Sequence, residues 1–94
     1  MEQPATNAVR TSVPAATTTT LLLPTHSARL GATFYNDSTA ILYLIVGGGQ
    51  GSTTDYTVQI AAQGSYELPS PCYVGPISGI WATAAGAVRI TELS

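Results

Sequence analysis

Apolar and polar positions alternate in short blocks along most of this chain. Thr17 to Thr20 run into Leu21-Leu22-Leu23, and Pro24 ends the run; β-branched threonines favour extended backbone, so Thr17–Leu23 is expected as a first strand, at a sheet edge. Leu30, Ala32 and Phe34 then alternate with Gly31, Thr33 and Tyr35, the two-residue period of a strand buried on one face. Asn36-Asp37-Ser38 are turn-forming residues, so this strand and the following run predict a hairpin. Ile41–Val46 is apolar throughout, as a central strand covered on both faces requires. Tyr56, Val58 and Ile60 oppose Thr57 and Gln59, Gln63-Gly64-Ser65 make a turn, and Tyr66 and Leu68 share a face of a short strand. Pro69, Pro71 and Pro76 force irregular backbone. Ile77 and Trp81 mark the next strand, Gly86 breaks it, and Val88 and Ile90 opposing Arg89 and Thr91 form the last.

No stretch carries a helical period or a capped helix start. About seven short strands between residues 17 and 93, punctuated by Gly, Pro and Asn-Asp, predict an all-β chain: a single small antiparallel β-sandwich or jelly-roll-like barrel. Residues 1–16 hold two prolines and few large apolar groups with no period, which reads as an extended N-terminal arm ahead of a sandwich domain over 17–94.

Composition changes the picture in one respect. Charged residues make up 9% of the 94 residues and apolar ones 45%, and there is no lysine; ordinary soluble domains carry roughly 25% charge. Interface centres are depleted in charge and prefer Arg to Lys, so a surface this poor in charge points to a chain covered by copies of itself or by other subunits. A net charge of −2 without a basic patch argues against nucleic acid as a partner. No apolar run approaches bilayer length and the start has no signal-peptide core, so no membrane partner is expected and synthesis in the cytoplasm is. Cys72, the one cysteine, cannot form an internal disulfide and reads as a small half-buried hydrophobe.

Candidate chemistry is sparse. The glycine run Gly47-Gly48-Gly49-Gln50-Gly51-Ser52 follows an apolar strand, as phosphate-binding loops do, but a P-loop needs lysine and a following helix. The next segment alternates at period two, so the glycines read as a hairpin loop whose backbone at Gly48 and Gly49 touches a neighbouring subunit. His26 is the only histidine and lies in a polar connection with no evident orienting carboxylate. The five carboxylates show no pairing for acid–base work, and one Cys with one His make no zinc site, so no catalytic residue, metal or cofactor is expected. The aromatic residues fill a small core or subunit contacts; a sugar-stacking surface is the alternative.

The pieces "GATFYNDSTAILYL", "YTVQIAAQGSYELP" and "YVGPISGIWATAAGAVRITEL", after a Thr-rich strand and a Leu run, occur in an order and spacing that resembles a group of small tailed-bacteriophage virion structural proteins. The likeness covers residues 17–93 and carries no catalytic motif. It implies a β-sandwich component of a virion. The function expected is a capsid decoration (cement) protein, a homotrimer that binds the major capsid protein and ties capsomers together. Its interaction residues would be Val9, Arg10, Val13 and Pro14 of the arm, with Arg29, Gly48, Gly49 and Tyr73. The alternatives are a neck, tail or fibre-attachment component, or a carbohydrate-binding adhesion module making weak glycan contacts through Tyr66 and Tyr73.

Overall fold

The chain folds into two four-stranded antiparallel sheets packed face to face. The computed structural model describes residues 4–47, 51–69 and 71–94. Its strands are β1 (Ala8–Pro14), β2 (Thr20–Leu23), β3 (Gly31–Ser38), β4 (Leu42–Val46), β5 (Val58–Ile60), β6 (Ser65–Glu67), β7 (Ile77–Trp81) and β8 (Gly86–Leu93). One sheet has the order β1-β8-β3-β6 and the other β2-β7-β4-β5. Four of the strand pairs, β1·β8, β2·β7, β3·β6 and β4·β5, are those of one long hairpin whose central turn joins β4 to β5. Rolling that ribbon up adds β3·β8 and β4·β7. This is how eight strands make the double Greek key of a jelly roll, so the predicted β-sandwich is the fold observed.

Two expectations differ from the structure. Residues 8–14 are not an arm outside the body: β1 pairs with β8 over its whole length, from Ala8↔Leu93 to Pro14↔Ala87. The strand was hidden because it is an edge. All its residues but Val13 are exposed, so it needs no apolar period. The seven strands expected after residue 17 correspond to β2–β8. Secondly, β3 and β4 are not a hairpin. Asn36-Asp37-Ser38 continue β3, paired with Val88, Ala87 and Gly86, and the chain then crosses to the other sheet. Tertiary bonding overrides turn propensity here, because the Asn36 side chain is buried and holds backbone from two segments: its Nδ2 donates to the carbonyls of Ala40 and of the adjacent Ile60 and Ala61.

The alternation read along the strands sets the core. Phe34, Ala32, Val88 and Ile90 from one sheet meet Leu42, Leu44, Ile60, Ile77 and Trp81 from the other. Fully burying each large side chain contributes about 1.5–3 kcal/mol. The indole of Trp81 is satisfied inside this core, its Nε1 donating to Asn36 Oδ1 at 3.1 Å while Ser38 Oγ donates to the same oxygen at 2.8 Å. Among the described residues, no buried side-chain polar atom lacks a hydrogen-bond partner, and no helix is long and apolar enough to cross a membrane.

Candidate interaction surfaces

Charge is segregated between the two sheets. Arg10, Asp37, Glu67, Arg89 and Glu92 all lie on β1-β8-β3-β6, whereas β2, β7, β4 and β5 contain no charged residue. The outward positions of the charge-free sheet follow from its register. Leu42, Leu44, Ile77 and Trp81 point inward, so Tyr43, Ile45, Ser78, Ile80, Gln59 and Leu21 point outward. Leu21 is 55% exposed, and Ile41 and Tyr56 beside this face are exposed too. Tyr43 and Tyr56 lie with ring centroids 5.0 Å apart and planes tilted by 58°, and Gln59 Nε2 donates to the Tyr56 hydroxyl at 2.7 Å.

The described part of the loop between β4 and β5, from Gly51 onward, closes over part of this face. Thr19 Oγ1 donates to the Gly51 carbonyl at 3.2 Å, and Ser52 and Asp55 pair across the loop. Ile45 points outward yet is buried, because Gly51 sits against it. A Cβ on Gly51 would collide with the Ile45 side chain and come within 2.6 Å of the Asp55 carbonyl, so only glycine lets the backbone lie this close. Gly48 and Gly49, expected as subunit contacts, lie outside the described residues.

The expected interaction residues fall into separate groups. Val9, Arg10 and Pro14 are exposed on β1 at the sheet edge, and Val13 packs partly against the core. Arg29 is no surface group. Its side chain is 0% exposed and spends its N–H groups within the chain: Nε donates to Glu92 Oε2 at 2.6 Å, Nη1 to the carbonyls of Tyr73 at 3.0 Å and Gly75 at 2.9 Å, and Nη2 to that of Pro24 at 2.6 Å. It ties the β2–β3 and β6–β7 connections to the end of β8. Tyr73 and Tyr66 are partly buried, packed against the core. That correction was invisible to sequence, since Glu92 lies 63 residues away and the other acceptors are backbone.

The same node supplies the carboxylate that the sequence did not reveal beside His26. Nδ1 of His26 lies 3.3 Å from Glu92 Oε1, while the other Glu92 oxygen holds Arg29. Cys72 packs partly buried near this pair. Burial pushes its thiol pKa up, the Arg29 charge opposes that rise and the Glu92 charge adds to it, so the thiolate that a nucleophile needs is disfavoured. Among the described residues, no three His, Cys, Asp or Glu side chains group to hold a metal. A cleft of about 370 Å³ lies between the start of β3 and the end of β6, lined by Leu30, Ala32, Leu68 and Leu93 with Glu67 as its single charge. It has the size of a small-ligand site but lacks the convergent polar groups that fix a ligand's orientation.

No protein-family model, no curated protein and no solved structure matches this chain.

Proposed function

We propose that this protein is a structural component of a virion, a capsid decoration protein that docks on the major capsid protein and on copies of itself. The outer face of β2-β7-β4-β5, whose strands bear no charge and over one part of which Asp55 lies in the covering loop, carries this reading. A surface with Leu21, Tyr43 and Ile80 outward and no strand-borne charge matches the charge-depleted centre of a protein interface. The virion setting is supported by the likeness of residues 17–93 to small tailed-phage structural proteins. Jelly rolls serve in viral capsids and also in lectins, and fold alone does not choose between them. For a sugar site, Tyr43 and Tyr56 present two planes crossed at 58° in place of a flat stacking platform, while Tyr66 and Tyr73 are partly buried against the core.

The test is binding of the purified chain to shells assembled from the major capsid protein. Tyr43→Asp and Ile80→Asp each place a carboxylate on the charge-free face at half-buried outward positions. Each should weaken binding at least tenfold, a loss of about 1.4 kcal/mol, with the fold intact by circular dichroism. Arg89→Ala, on the opposite sheet, should leave binding unchanged. Shell binding insensitive to both carboxylates, or no binding to shells at all, overturns the proposal.

A further inference from the structure

The four strands at sheet edges are not equally protected. Edges are commonly blunted by shortness, bulges, charge or proline. β5 and β6 have three residues each, and β2 has four with an irregular register between Leu21 and Leu23. β1 has seven residues in unbroken register, and its own blunting devices are one charge, Arg10, and a proline at its last position, Pro14. Its hydrogen-bond parity is set at both ends. Asn7 and Ser94 exchange both backbone bonds, and Ala15 N donates to Gly86 O. Odd-numbered residues of β1 therefore face β8. The N–H groups of Ala8, Arg10 and Ser12, and the carbonyls of those residues and of Pro14, point outward from the edge. Val9 is a second unfinished feature. It lies on the core side of the sheet, opposite Glu92 and in line with Ala32, yet is 55% exposed because the second sheet does not cover it.

We infer that β1 is a homodimer seam: two copies pair their β1 strands antiparallel about a two-fold axis, joining both β1-β8-β3-β6 sheets into one. Two registers use every outward N–H group. One sets Arg10 directly against Arg10 of the partner subunit, where like charges repel. The other sets Arg10 against Ser12 of the partner subunit and Ala8 against Pro14 of the partner subunit. It forms the same number of backbone bonds: Pro14 accepts from the Ala8 N–H and, having no N–H of its own, leaves the Ala8 carbonyl to solvent. It also brings Val9 against Val13 of the partner subunit on the core side and places Thr11 beside Thr11 of the partner subunit on the axis. Charge and the covering of Val9 both select this second register. A second copy is the occupant because the edge complements itself: its one charge meets a serine, and its one uncovered apolar side chain meets a valine. The order of assembly this edge supports is two, in place of the three expected from sequence.

The seam is read on the purified chain, independently of any shell. Sedimentation should show a dimer. In a Cys72→Ser background, Thr11→Cys should give a disulfide-linked dimer on mild oxidation. Residues opposed at a non-hydrogen-bonded position have Cα atoms about 4.5 Å apart, inside the disulfide range. Ser12→Cys in the same background, which keeps Arg10, should not cross-link, its Cα atoms being roughly 7–8 Å apart on the diagonal. Ser12→Pro removes an outward N–H together with the exposed hydroxyl that accepts from Arg89 Nη1 at 2.9 Å, and places a ring on the seam. It should raise the dimer dissociation constant about 100-fold and lower the melting temperature of the monomer no more than Ser12→Ala, which loses the hydroxyl alone and keeps the dimer. A chain that stays monomeric to about 1 mM, one that sediments as a trimer, or cross-linking through Ser12→Cys instead of Thr11→Cys overturns the inference. The cross-linking comparison decides the matter even if Ser12→Pro misfolds.

Discussion

Arg29→Ala is predicted to be among the most damaging single substitutions in this protein. The guanidinium has no exposed surface and bonds to Glu92 and to three backbone carbonyls, of Pro24, Tyr73 and Gly75. Breaking a buried ion pair by removing one partner costs about 3–5 kcal/mol. Each hydrogen bond to a charged donor is worth roughly 1.5–3 kcal/mol in isolation. These terms do not add here. Water entering the vacated space re-solvates the carbonyls, and Glu92, 15% exposed with His26 at 3.3 Å, is not wholly stranded. The expected loss is therefore about 3–4 kcal/mol, against a total stability of roughly 5–14 kcal/mol for a chain of this length. It should lower the melting temperature by about 12–30 °C and shift the urea midpoint without changing the slope. Arg29→Lys keeps the charge but not the planar fork and should lose about half as much. The double variant Arg29→Met with Glu92→Leu, which removes both charges, should cost less than Arg29→Ala alone. An Arg29→Ala loss below about 1 kcal/mol, or a double variant as costly as the sum of its singles, would refute the assignment of Arg29 as the clasp of these connections.

Asn36→Ala deprives the Trp81 indole and three carbonyls of their partner and should cost about 3 kcal/mol in urea unfolding. The fluorescence of Trp81, the only tryptophan, should shift with it. Gly51→Ala forces the loop off Ile45, so a loss of about 1–3 kcal/mol is expected, with faster amide exchange around Ile45. Because burial raises the Cys72 pKa in the folded state, its contribution to stability is full below the ordinary thiol pKa and declines as pH rises through the folded value. Urea titrations from about pH 7 to about pH 10 should show an alkaline decline that is shallower in Cys72→Ser. Deleting residues 1–16 removes β1 and lays bare the β8 edge, so the truncated chain should melt lower or aggregate, where a mere arm would leave the melt unchanged.

The fold was legible wherever burial imposes a period. Phe34 with Ala32, and Val88 with Ile90, alternate with polar neighbours because one face of each strand meets the core. The all-apolar run at Leu42–Val46 is covered inside by the opposite sheet, and outside at Ile45 by the loop around Gly51. β1 was not legible because an edge strand earns little burial, so its pattern "AVRTSVP" carries no signal that separates it from a floppy terminus. Asn36 misled for the opposite reason. Its short amide suits a turn, and the same amide suits a buried node that binds three carbonyls, a choice that only the packing around Trp81 decides. Of the candidate site residues, Val9, Arg10 and Pro14 are exposed and available at the edge, whereas Arg29 and Tyr73 turn inward. The charge-free sheet was present in the sequence as "TLLL", "LYLIV", "VQI" and "ISGIW". What the sequence lacks is the information that these four segments share one layer, since their pairing is non-local.

The two proposed contacts also have a geometric relation. A two-fold axis that pairs antiparallel strands within one sheet runs perpendicular to that sheet. Both copies then turn the same face of β1-β8-β3-β6 to the same side, and both β2-β7-β4-β5 sheets lie together on the other. A dimer built on β1 thus aims two charge-free faces at one substrate. A single face on so small a body offers a modest contact, since stable interfaces bury about 800 Å² per partner. Two faces held rigidly side by side make the second contact intramolecular, and such linkage raises apparent affinity by about 10²–10⁴ without any new type of bond. That gain requires a surface that repeats at the spacing of the two faces, which a shell of identical subunits provides and an isolated soluble partner does not. The charged outer sheet, with the Arg89–Asp37 pair at 3.1 Å and Glu67, is left facing solvent. There, charge keeps an otherwise apolar chain from stacking further.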